Sequence, residues 1–95
     1  NKTKNEARKL KKTNVIVCPP SIYIPLFSKQ KLPKNLSLGV QDLFWESNGS
    51  YTGFLSPDVF SQYKITHSIV GHSERRSLGE TDLDINRKIK AILKT

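Results

Sequence analysis

The 95-residue sequence has no methionine, a single cysteine and a single tryptophan. It also lacks any long apolar run, and each shortage excludes something. One cysteine, Cys18, leaves no partner for an internal disulfide and agrees with a reducing compartment, so the expected location is the cytoplasm. No stretch approaches the roughly 18 apolar residues of a membrane-spanning helix, and no signal-peptide pattern opens the chain, so a membrane is not an expected partner. With Asn1 in first place and no methionine anywhere, residues are expected to precede this stretch. No G-x-G-x-x-G turn follows an apolar run, which argues against a dinucleotide-binding domain.

Acidic residues are scarce as well: eight stand against sixteen Lys and Arg, for a net charge of +8. The excess is local. Lys2, Lys4, Arg8, Lys9, Lys11 and Lys12 lie in the opening segment with the lone acid Glu6, so the remainder carries only about +3. No aromatic residues interleave with the run, as a single-strand nucleic-acid binder would need. The run reads instead as the solvated face of a helix whose apolar contacts are Ala7 and Leu10. Nucleic acid is therefore not the expected partner.

What is present is typical of a folded chain, with 36% hydrophobic and 25% charged residues. A chain of this size buries only roughly 60–65% of its unfolded surface, so its core is thin. Three short apolar runs read as buried strands: Asn14–Cys18, stopped by Pro19 and Pro20; Leu36–Val40, after a turn containing Pro33; and Ile65–Val70, ended by Gly71. Helical patterns fill the intervals. Ser21–Lys31 carries Ile22, Leu26 and Phe27 at helical spacing, with Pro25 tolerable only near its first turn. Ser56, Pro57 and Asp58 form a start signal in which Ser56 caps and Pro57 takes the first helical position. Thr81, Asp82 and Asp84 open a last helix with an apolar stripe of Leu83, Ile85, Ile89, Ala91, Ile92 and Leu93. The order α-β-α-β-α-β-α implies an α/β fold with parallel strands. Three such strands leave two bare edges and an uncovered face, so further strands are expected to complete the sheet.

The densest polar cluster, Gly71-His72-Ser73-Glu74-Arg75-Arg76, follows the third strand directly. In a barrel of parallel strands, chemistry gathers at the strand carboxyl ends. A histidine there, opening a helix, feels the positive potential of free N–H groups, which favours neutral imidazole and a role as hydrogen-bond donor to a carbonyl oxygen.

That cluster, followed by Gly79-Glu80-Thr81-Asp82, resembles the signature of triosephosphate isomerases. Asn48-Gly49-Ser50-Tyr51-Thr52-Gly53 with Ser56-Pro57 resembles that family's third strand–helix loop. Val17-Cys18-Pro19-Pro20 with Tyr23 resembles its second strand and following helix, and Gln41 the end of its third strand. The resemblance runs from about Asn14 to the C-terminus, in family order and at family spacing.

The resemblance implies one incomplete domain over residues 1–95: a partial (β/α)8 barrel, with 1–13 as the tail of the first helix and 14–95 as the second to fourth strand–helix units. It implies interconversion of dihydroxyacetone phosphate and glyceraldehyde 3-phosphate through an enediolate, in glycolysis and gluconeogenesis, without cofactor or metal. His72 would be the electrophile that polarises the substrate carbonyl. Ser73 and Glu74 would support it, Glu74 as a buried glutamate. Thr52, Gly53 and Arg75 would lie at a homodimer interface, and Glu80 would be a buried structural glutamate near it. The family's Asn-x-Lys of the first strand, its glutamate base, closing lid and phosphate loops have no counterpart here, so the 95 residues alone are expected to be inactive.

One departure stands out. Phe54 replaces a family glutamate that pairs with the arginine matched by Arg75 across the dimer interface, so Arg75 must find another acceptor, such as a neighbouring carboxylate or carbonyl, or the dimer contact changes. Other candidates have structural readings. His67 should face the helices by alternation from His72, and Cys18 should be a small buried hydrophobe. Phe44 and Trp45 read as loop anchors or interface residues. Asp82 and Asp84 read as helix-start carboxylates. The competing reading is a non-catalytic barrel fragment that associates with complementing segments through exposed strand edges.

Overall fold

A computed structural model describes residues 2–9, 12–47 and 49–95. Leu10, Lys11 and Asn48, named above in the opening helix and the third loop, lie outside the described residues.

Three strands, β1 (Val15–Val17), β2 (Leu36–Val40) and β3 (Ile65–Ser68), form one parallel sheet in the order β1-β2-β3. The opening helix α1 (Lys2–Lys9) buries Ala7 and leaves Lys9 and Glu6 as an exposed pair. Asn35, just before β2, donates its amide N–H groups to the carbonyls of Ala7 and Thr13, which ties α1 to the start of the sheet.

One face of the sheet makes the core. Leu38, Val40 and Ile65 pack with Ile24 of α2 (Ile24–Ser28), Val59 of α3 (Val59–Gln62) and Leu43, with Phe27, Leu32, Leu55, Phe60, Tyr63 and Ile92 around them. The other face, carrying Ile16, Gly39 and His67, has no layer over it among the described residues, and Ile16 is 48% exposed.

The parallel alternation follows the sequence reading, with local corrections. The segment after Pro20 opens as a 3-10 turn at Ser21–Tyr23 and becomes α2 only at Ile24, with Pro25 in its first turn. It ends at Ser28 rather than Lys31, where Gln30 donates to the Phe27 carbonyl and closes a turn. α3 begins at Val59, not Pro57, because Pro57 and Asp58 are spent on an i→i+3 turn (Val59 N–H to Ser56 O, Phe60 N–H to Pro57 O). Ser56 still acts as a local cap, accepting from the Asp58 N–H at 3.1 Å while its hydroxyl donates to the Ser47 carbonyl. An additional helix, α4 (Ser73–Ser77), separates β3 from α5 (Asp82–Leu93).

The apolar stripe of α5 is also turned from the expected position. Leu83, Ile89 and Leu93 are exposed, whereas Ile92 packs against the core and Ile85 lies beside Gly71. Between Ile85 and Ile92 on that inward face sits Lys88, only 3% exposed.

The sharpest correction is in β3. Leu38 pairs with Ile65, but Gly39 pairs with His67, so Thr66 is an extra residue, a β-bulge that reverses the alternation beyond it. A Cβ on Gly39 would lie 3.3 Å from the His67 Cβ and 2.6 Å from the Cys18 Sγ. Cys18, Gly39 and His67 therefore share the face opposite the core. His67 does not face the helices. Cys18 is half-buried rather than buried, and this partial burial pushes its thiol up from the ordinary value.

α5 starts as the sequence indicates. Thr81 accepts from the Asp84 N–H at 3.2 Å, and Asp84 accepts from the Thr81 N–H at 3.0 Å, a complete capping box. The backbone bond from Thr81 first, then the Thr81 hydroxyl contact, hold the Asp84 carboxyl below its ordinary value. A lowered folded value means the ionised cap stabilises fully above the unfolded carboxyl value of about 3.9, and this contribution is lost as pH falls through the lower folded value. A carbon-detected NMR titration should place the Asp84 midpoint below that of an ordinary aspartate, and Thr81→Ala should move it part of the way back. A midpoint at or above the ordinary value would contradict the capping box.

Candidate functional site

The carboxyl ends of β2 and β3 lie side by side, and the pairing continues one step further through the Ile69 N–H to the Val40 carbonyl, 2.9 Å. Gln41, directly after β2, donates to the Cys18 carbonyl at 2.9 Å and so holds the end of β1 level with the other two. Gly71 then turns the chain out of the sheet at φ +73°, a conformation open to glycine at little cost. Any Cβ there would also stand 3.1 Å from Ile85.

His72 is the residue this turn delivers. It is the N-cap of α4, with its carbonyl accepting from the Arg75 and Arg76 N–H groups at 2.9 and 3.1 Å. Its ring Nδ1 accepts the Glu74 N–H at 3.1 Å, which satisfies one of the free donors of the first turn. A nitrogen that accepts this bond carries a lone pair, so the remaining ring proton lies on Nε2. The ring is exposed. The arrangement can present one neutral N–H donor to a polar group outside the chain.

Ser73 and Glu74 stand beside it on the same first turn and are exposed. The resemblance implied a buried glutamate at Glu74; its side chain is exposed, as α4 packs no residue into the core of the described residues.

Thr52 and Gly53 line a cleft of about 410 Å³ with Ser21, Gln41, Asp42, Leu43, Phe54, Leu55 and Arg75. His72 is not part of that lining. Thr52 and Gly53 are exposed, and Gly53 takes φ +85°. Their loop is anchored from behind by the buried Phe44, whose ring meets Tyr51 at 4.9 Å, Phe54 at 4.5 Å and Trp45 at 4.2 Å. The Arg87 guanidinium lies 5.3 Å over the Trp45 ring. Phe44 and Trp45 are thus loop anchors.

Arg75 has found carboxylates in its own chain. Its Nε lies 3.2 Å from Asp42 Oδ2 and 3.4 Å from Glu80 Oε2. The same two acids hold the Lys88 ammonium, at 2.8 Å from Asp42 and 3.2 Å from Glu80. Two acids and two bases balance. Removing one partner of a buried pair of this kind costs about 3–5 kcal/mol, because the remaining charge stays out of water. Arg76 is tied more locally, to the Gly71 carbonyl at 3.3 Å and to Asp82 at 2.9 Å. Asp82 and Asp84 therefore both serve the start of α5.

Sequence reasoning missed Asp42 and Lys88. A signal for Lys88 existed: it lies three residues after Ile85 and four before Ile92, a lysine on an apolar helical stripe. Nothing comparable marked Asp42. Among the described residues no group of three or more His, Cys, Asp or Glu is placed to hold a metal ion. None of the described helices is long and apolar enough to cross a membrane.

A profile of the family described as triosephosphate isomerase matches residues 1–95. The chain belongs to the triosephosphate isomerase family. It is 42% identical over 81 residues to the triosephosphate isomerase of Moorella thermoacetica, a match covering 84% of this chain and 32% of that protein. It is 40% identical over 83 residues to the triosephosphate isomerase of a Thermoanaerobacter species, covering 86% of this chain and 34% of the relative. With the protein of that name from Lactobacillus delbrueckii subsp. bulgaricus it shares 37% identity over 93 residues, which is 97% of this chain and 37% of the other. The chain thus spans about a third of the length of these triosephosphate isomerases. Its open, three-stranded parallel sheet is a partial α/β barrel of the family's kind.

Proposed function

We propose that this chain is part of a triosephosphate isomerase that interconverts dihydroxyacetone phosphate and glyceraldehyde 3-phosphate, with His72 as the electrophile. The observation that carries the reading is the His72 Nδ1 bond to the Glu74 N–H. It leaves Nε2–H to donate to a carbonyl oxygen as an adjacent carbon loses its proton. Negative charge developing on that oxygen strengthens the bond on the way to the enediolate, so the interaction favours the transition state over the ground state. The same imidazole can then pass a proton between the two oxygens of the intermediate. Ser73 and Glu74 support it from the same helical turn.

Proton abstraction itself needs a positioned base, and the exclusion of water needs a lid. Neither role matches a residue of this chain in the family's pattern, so the 95 residues alone do not turn over substrate. The parent protein works as a dimer, with Thr52 and Gly53 toward the partner copy; their exposure supports this.

In a chain extended to the length of its relatives, His72→Ala should lower kcat by about 10²–10⁴-fold with a small change in KM, read by a coupled isomerase assay. Unchanged turnover would remove His72 from the chemistry.

A second reading is favoured by the uncovered sheet face with Ile16 and by exposed Ile22, Leu26, Leu83 and Leu93. On that reading the 95 residues act as a barrel piece that associates with complementing segments or with its own copies. Sedimentation velocity of the 95-residue protein should show self-association that rises with concentration. A stable, well-folded monomer across the range would rule the reading out.

A further inference from the structure

α4 carries His72 at its start, yet the helix is five residues long and buries none of them. Apolar packing therefore does little to place it, and its position depends on the charged side chains that leave it. Among the described residues Arg76 bonds to Gly71 and Asp82, at most six residues away in sequence, so it shapes the local turn without fixing it to the sheet. Arg75 is the tether to the rest of the fold. It meets Glu80, again a near neighbour, and Asp42, two residues beyond the end of β2.

Asp42 uses both oxygens: Oδ2 faces the Arg75 Nε at 3.2 Å and Oδ1 accepts from the Lys88 Nζ at 2.8 Å. Glu80 lies only five residues beyond Arg75, and its Oε2 is shared between the two cations, accepting from the Arg75 Nε at 3.4 Å and from the Lys88 Nζ at 3.2 Å. With the charge on Asp42 gone, buried Lys88 would retain Glu80, since an ammonium without a carboxylate is most costly in the interior. Arg75, 41% exposed, would release to water at the smallest cost.

We propose that Asp42 is a positioning residue for His72: by pinning Arg75 to the end of β2 it fixes where α4 starts and where the imidazole stands at the strand ends. The proposal rests on the isomerase reading above. A displacement of about 1 Å is enough to cost roughly 100-fold in a reaction that depends on aligned groups.

The test uses the chain extended to the length of its relatives, assayed for isomerase kinetics and thermal stability. Asp42→Asn keeps the shape and removes the charge; kcat should fall by about 10–100-fold, with KM changed much less. Because that variant strands Lys88, a charge-balanced double variant, Asp42→Asn with Lys88→Met, separates placement from stability. It should melt like the parent and still show the lowered kcat. Phe54 lines one cavity with Arg75 and Lys88 and another with Arg75. Adding Phe54→Glu to Asp42→Asn should therefore supply a new carboxylate and recover much of the lost kcat. Parental kcat in the balanced double variant would overturn the proposal and leave the isomerase reading standing. An inactive extended parent chain would overturn both.

Discussion

A hydrogen bond between an imidazole nitrogen and the second amide of a five-residue helix organises this structure. It is one bond, 3.1 Å long, from the Glu74 N–H to His72 Nδ1. It satisfies a helix donor that would otherwise lack a partner, starts α4, and decides which ring nitrogen keeps its proton. Gly71 supplies the left-handed turn that lifts the chain out of β3, and the Ile69 bond to Val40 holds the end of β3 level with β2. The same bond thus starts the helix and leaves the Nε2 side of the exposed ring free to face outward.

The second constraint is electrostatic. Four charges, from Asp42, Arg75, Glu80 and Lys88, converge from the end of β2, from α4, from the link after it and from α5. Their balance allows Lys88 to be buried among apolar neighbours. Phe54 fits the same picture: with no carboxylate at that position, Arg75 is paired within its own chain, and the loop that carries Phe54 folds back onto Phe44 through aromatic contacts. The guanidinium does not wait for an acceptor from elsewhere.

Much of this was legible in the residues, for reasons that are local. β2 begins at Leu36 and ends at Val40 as expected, with Leu36, Leu38 and Val40 buried on one face and Ser37 and Gly39 on the other. The capping box of Thr81 and Asp84 could be read off three residues, since both bonds close within one turn. His72 was legible because glycine, strand end and helix start coincide there. What escaped needed partners distant in sequence. The bulge at Thr66 that turns His67 to the open face depends on pairing with Gly39, and no residue in β3 announces it. Asp42 acquires its meaning only when Lys88, 46 residues later, reaches it.

The central claim is that Nδ1 of His72 is occupied by its own helix and Nε2 is left to donate. In ¹⁵N-labelled protein, a scalar coupling measured across the hydrogen bond should connect the Glu74 amide nitrogen with His72 Nδ1, with the ring proton on Nε2. No coupling, together with a proton found on Nδ1, would contradict the account.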